Sequence, residues 1–134
     1  MTSSDHIQLV KDAYNAFMSG DRTFYEEHLS SDFTFSSPAD VGLDRAGYFD
    51  RCWPGSGQGG TIHFVRLVES NDEVIATYVS TRTDGGKGRN TEIFVFKNSE
   101  ISSIEVYLGW DIPASAGTVI YLSMSVAPID GCLV

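Results

Sequence analysis

Cysteine, proline and histidine are scarce in this chain: two, four and three among 134 residues. Cys52 and Cys132 lack the short spacing of a metal site, and His6, His28 and His63 form no close pair, so no metal is expected. The two cysteines read as free thiols of a reducing cytoplasm, although the chain by itself leaves a disulfide open. Basic residues are few as well, nine Lys and Arg against eighteen Asp and Glu, for a formal charge of −9. That balance excludes nucleic acid and anionic membrane as partners, because both require a basic face. No apolar run approaches the roughly 20 residues of a membrane span. The stretch TVIYLSMSVA is short and broken by serines, and MTSSDHIQLVKDAY is polar and amphipathic, unlike a secretory signal. Neither GSGQGG nor DGGKG has the strand–loop–helix setting or the Lys-Ser/Thr pair that cradles phosphate, so no cofactor is expected.

What is present is an acidic chain with 42% apolar residues, enough for one core. Ile7, Val10, Ala13, Tyr14 and Phe17 recur at helical spacing. Asp5 and Gln8 resemble a capping box at the start of that helix, and Gly20 stops it. A second short helix is predicted from Thr23, boxed by Glu26, through Leu29. SDFTFSSP reads as a strand closed by Pro38, and DRAGYFDRCW as a helix capped by Asp44. GSGQGG then reads as a mobile loop able to gate a cavity. Beyond it, TIHFVRLVES, EVIATYVSTRT, NTEIFVFK and EISSIEVYLGW are strand-like segments separated by turn signals. Helices followed by a meander predict an α+β fold, with helices packed on one face of an antiparallel sheet. Residues 1–113 form that domain. Residues 114–134 are a divergent extension with at most one further strand, around Val119–Met124.

One strand carries an anomaly. Alternation puts Glu92, Phe94 and Phe96 on one face and Thr91, Ile93 and Val95 on the other. A buried carboxylate without a partner is costly, so Glu92 sits at a wet strand end, is paired with a neighbouring cation, or is retained for chemistry.

The helix ending in Gly20-Asp21, the SDFTFSSP strand and the meander together resemble the nuclear transport factor 2-like superfamily. RNTEIFVFKNSEISSIEVYLGWDIP is most similar to its SnoaL-like members, and the likeness spans about residues 5–113. The resemblance implies a curved sheet wrapped around about three helices, with a cone-shaped hydrophobic pocket and a convex face that forms homodimers. It places Glu92 where ketosteroid isomerases hold a protonated oxyanion-stabilising acid, and turns Ile104, Val106 and Leu108 toward the pocket. The isomerases' base is replaced by Ser37, which has no usable basicity near neutral pH. Their phenolic donor falls on Ala13, one residue before Tyr14. An arginine used by related epoxide hydrolases falls on Asn90, with Arg89 on the opposite face.

The expectation is a SnoaL-like, cytoplasmic protein that binds a small hydrophobic molecule. Its chemistry would be cofactor-free proton transfer in an isomerase, cyclase or dehydratase; the alternative is a non-catalytic ligand-binding or dimerisation module. Glu92 is the candidate acid or donor, with Asp40 or His63 as base. Tyr14, Phe49, Trp53, Tyr78, Phe94, Ile104, Val106 and Leu108 would shape the pocket. His6 and His28 read as surface residues.

Overall fold

The computed structural model describes residues 3–113 and Cys132. Helix α1 (Ser3–Ser19) carries the predicted apolar stripe, and Val10, Ala13, Tyr14 and Phe17 are buried. Asp5 lies inside its first turn, and Gln8 donates to Asp12 Oδ1 at 2.9 Å. Gly20, at φ +79°, ends the helix. The Asp21 and Gly20 amides donate back to the carbonyls of Ala16 and Phe17, the double closure that a left-handed residue permits. Asp21 then caps α2 (Arg22–His28) through the Phe24 amide, so this helix begins before the Thr23 box.

Strand β1 (Leu29–Ser36) is followed by the two-residue β2 (Leu43–Asp44). Asp44 caps α3 (Arg45–Arg51) by accepting from the Gly47 amide at 2.7 Å. The GSGQGG loop is not free. Gly57 and Gly59 donate to the carbonyls of Phe17 and Met18 at 2.8 and 3.0 Å, adding a second donor on Phe17 and one on Met18 at the end of α1. The loop is a strap on the helix end.

Strands β3 (Thr61–Ser70), β4 (Glu73–Thr81), β5 (Lys87–Lys97) and β6 (Glu100–Ile112) form the expected antiparallel meander. The sheet order is β2-β1-β6-β5-β4-β3, and β1 runs parallel to β6, so the sheet is mixed. Register shifts in β3 and β6 add residues to one strand of a pair, which bends the sheet around the helices. One added residue is Gly109, which lies between Leu108, opposite Asn90, and Trp110, opposite Arg89. A Cβ there would collide with the Arg89 carbonyl oxygen, so only glycine fits this bulge.

Two expectations are overturned. Cys52 and Cys132 are not free thiols: they form a disulfide with Cα atoms 5.7 Å apart, across 80 residues of sequence. The cytoplasmic expectation therefore loses its thiol argument. His6 is not a surface residue. It shares the buried face of α1 with Val10, Ala13 and Phe17, and stacks on Phe96 at 4.3 Å. Its Nδ1 lies 3.1 Å from Glu69 Oε2 and its Nε2 2.9 Å from the Asn98 carbonyl oxygen. No helix among the described residues is long and apolar enough to cross a membrane. The strand expected around Val119–Met124 lies outside the described residues.

Candidate functional site

Strand β5 alternates as its sequence requires. Gly88, Asn90, Glu92, Phe94 and Phe96 are buried, while Arg89, Thr91, Ile93 and Val95 are half-buried on the outer face. Glu92 is thus inside the sheet's concave side, 4% exposed, far from either strand end. No cation meets it. Its partner is a phenol: Tyr78, directly across β4 and β5 from Asn90, donates to Glu92 Oε2 at 2.6 Å. Asn90 Nδ2 donates to the same phenolic oxygen at 3.3 Å, and Asn90 Oδ1 accepts from the Gly109 amide at 3.0 Å.

Burial dominates the electrostatics. Loss of hydration pushes the Glu92 carboxyl up to about 7, against the lowering influence of the Tyr78 and Tyr14 hydroxyls. Tyr14 approaches Glu92 closely enough to lower its carboxyl as a hydrogen-bonding neighbour, although the bond falls short of ideal geometry. Tyr14 and Tyr78 are themselves raised well above the ordinary phenol value, first by burial and then by the Glu92 charge. Both remain protonated donors at neutral pH.

Glu92 and Tyr14 open onto the same cavity, whose volume is about 10 Å³, room for roughly one water. Phe94 and Ile104, both expected to line a pocket, are on its wall. So are Tyr25, Tyr48 and Cys132, none of which stands among the residues expected to shape the pocket. The broad pocket expected in the cone is largely filled by the protein's own rings. Tyr14 meets Phe64, Tyr78 and Phe94 at centroid distances of 5.2, 5.0 and 5.7 Å. Phe49 and Trp53 stand behind the wall, packed on one another, with Trp53 also against Phe17 and Tyr25. Val106 is buried and Leu108 half-buried on the inner face of β6, away from the cavity.

The two candidate bases are elsewhere. His63 is exposed on the outer face of β3, because the inward positions there are Ile62 and Phe64. Asp40 follows β1 and forms an ion pair with Arg51, Oδ2 to Nε 3.0 Å, off the cavity wall. Ser37 closes the same turn: its hydroxyl accepts from the Ala39 and Asp40 amides. Among the described residues no group of three His, Cys, Asp or Glu is placed to hold a metal ion.

No family model and no curated protein matches the chain. Solved structures do. One is a protein of unknown function from Burkholderia xenovorans LB400, described as NTF-2 like; it is 14% identical, with TM-score 0.67, over 90% of this chain and 97% of that one. The fold is NTF2-like. Two further NTF2-like matches extend the range. An epoxide hydrolase from M. tuberculosis, of the LEH-like kind, is 14% identical with TM-score 0.65, over 79% and 84% of the two chains. Bal32a, from a soil-derived mobile gene cassette, is 21% identical with TM-score 0.63, over 78% and 89%. At these identities the likeness is one of fold, and the NTF2-like scaffold carries different activities at one site. Function has to be argued from Glu92 and its neighbours.

Proposed function

We propose that this SnoaL-like chain binds a small hydrophobic molecule at the Glu92 cavity and moves a proton on it without a cofactor. The observation that carries the reading is the pairing of two groups on one wall: a carboxyl that titrates near neutrality and, close beside it, a buried phenol that keeps its hydrogen at that pH. With His63 and Asp40 turned elsewhere, Glu92 acts alone as base and acid. Its carboxylate takes a proton from carbon alpha to a carbonyl, and the resulting acid returns it to the same or a conjugated carbon. Tyr14 donates its hydrogen to the enolate oxygen that forms between those steps. A group that titrates at the working pH is present in both forms, which a single-residue shuttle requires. The ligand enters by displacing the water-sized space and the rings around it.

Proton exchange at the alpha carbon of small apolar ketones, 2-tetralone among them, followed by ¹H NMR in D₂O, tests this. Wild-type protein should accelerate exchange, and Glu92→Gln should lower the rate by about 100-fold or more. Tyr14→Phe should lose rate with little change in fold. If no ketone in the series exchanges faster with the wild type than with Glu92→Gln at any pH, the catalytic reading fails.

A second reading has its own support in the cavity's small volume: a non-catalytic module that dimerises. Val68, Ile75 and Ile93 lie side by side across β3, β4 and β5 on the convex face, with Val68 47% exposed. A homodimer through this face would cover them. Light scattering should then give twice the chain mass and revert to the monomer in Ile93→Lys; a monomeric wild type contradicts it.

A further inference from the structure

The hydrogen bonds behind Glu92 have a direction, and it starts at the backbone. Gly109 is the extra residue of the β6 bulge, and its amide hydrogen turns toward Asn90. Asn90 Oδ1 takes that hydrogen at 3.0 Å. A backbone amide only donates, so the atom facing it must be the carboxamide oxygen and never the nitrogen. The orientation of the Asn90 amide is therefore settled by covalent chemistry, where an isolated asparagine would be ambiguous. Its NH₂ group points at the Tyr78 oxygen, 3.3 Å away, and can only donate. Tyr78 accepts there, and its single hydrogen goes to Glu92 Oε2 at 2.6 Å. Asn90, Tyr78 and Glu92 are all buried, so water does not compete for the two bonds that link them.

We infer that Asn90 is a positioning residue: anchored on the Gly109 bulge, it makes Tyr78 a donor to Glu92 Oε2 and leaves Oε1 as the oxygen that carries the exchangeable proton. In a neutral carboxyl the carbonyl oxygen is the better acceptor. The Tyr78 hydrogen therefore holds Oε2 in the carbonyl role, and the proton resides on Oε1. The inference deepens the reading of Glu92 as the proton carrier, yet the relay exists whether or not a substrate is turned over. The other groups that act on Glu92 from the helices, Tyr14, Tyr25 and Tyr48, are phenols, and Asn90 hydrogen-bonds to none of them.

A double-mutant cycle read by ¹³C NMR of the Glu92 carboxyl tests the relay. In Asn90→Asp the new carboxylate accepts from both the Gly109 amide and Tyr78, so the Tyr78 hydrogen turns away from Glu92. The added charge alone also raises the Glu92 midpoint, and Asn90→Asp in a Tyr78→Phe background measures that part. The relay predicts that the midpoint rises further in the Tyr78 background, by about one pH unit or more, a tenfold change in acidity. Equal rises in both backgrounds overturn it, because a residue that merely braces the bulge would move both alike. A second measurement needs no variant. In wild-type protein the Asn90 side-chain amide hydrogens should show nuclear Overhauser contacts to the Tyr78 ring, and their absence overturns the inference even if the variants fail to fold. A wild-type Glu92 midpoint near that of a solvated carboxylate would refute the catalytic proposal, while the amide contacts would still decide the relay.

Discussion

At about pH 8, Glu92→Gln is expected to be more stable than the wild type by up to about 3 kcal/mol in urea unfolding, whereas at about pH 4 the two should unfold alike. Glutamine keeps the shape and an acceptor for the Tyr78 hydrogen, so the variant stands in for the neutral acid at every pH. The folded carboxyl is raised to about 7 from an ordinary value of 4.5. Between those values the native state holds one proton more than the unfolded chain, so stability falls as pH rises, by about 1.4 kcal/mol per unit. The loss is absent below the unfolded value and complete above the folded one. The sign is opposite to that of a salt-bridged carboxylate, which stabilises at high pH. Since all other carboxylates are common to both proteins, the difference between the two curves isolates position 92. Parallel curves from acid to alkali would mean that the side chain is solvated, and a difference of the opposite sign that it is paired with a cation.

The second large effect is covalent. Cys132→Ser, or reduction by a dithiol, is expected to lower stability by about 4 kcal/mol, because the bridge closes a long loop and restricts the unfolded chain. Cys52 sits at the end of α3, 2% exposed, and Cys132 is 4% exposed. Cys52→Ser should therefore cost a similar amount, and the double variant should cost little more than either single one. If the singles add, or if the dithiol leaves the midpoint denaturant concentration unchanged, the bridge does not exist in solution.

Much of this architecture was legible because period and burial go together. The inward row of β5 follows from strict alternation, and no tertiary knowledge was needed to put Glu92 beside Phe94. The caps at Asp44 and the stop at Gly20 were legible for the same local reason. Pairings over long sequence distances were not. Nothing between Cys52 and Cys132 signals that they meet, and the parallel contact of β1 with β6 depends on where the helices carry the chain. His6 was misread because residue type outweighed position: at helical spacing from Val10, it belonged to the buried face all along. His63 failed for a related reason. A bulge between Phe64 and Arg66 and the neighbouring Ile62 and Phe64 set the inward row of β3, and the histidine falls between them. Asp40 reads as a free carboxylate until the fold brings Arg51 beside it. Tyr25 and Tyr48 reach the cavity from two different short helices, which no pattern within either helix foretells.

The protonation state of Glu92 can be observed directly by difference infrared spectroscopy, with the Glu92→Gln spectrum subtracted from that of the wild type. A carbonyl band of an un-ionised carboxylic acid should persist at about pH 6 and give way to carboxylate bands with a midpoint at about 7. A spectrum already fully carboxylate at about pH 6, as for a glutamate in water, would contradict the account of a buried acid in the NTF2-like cone.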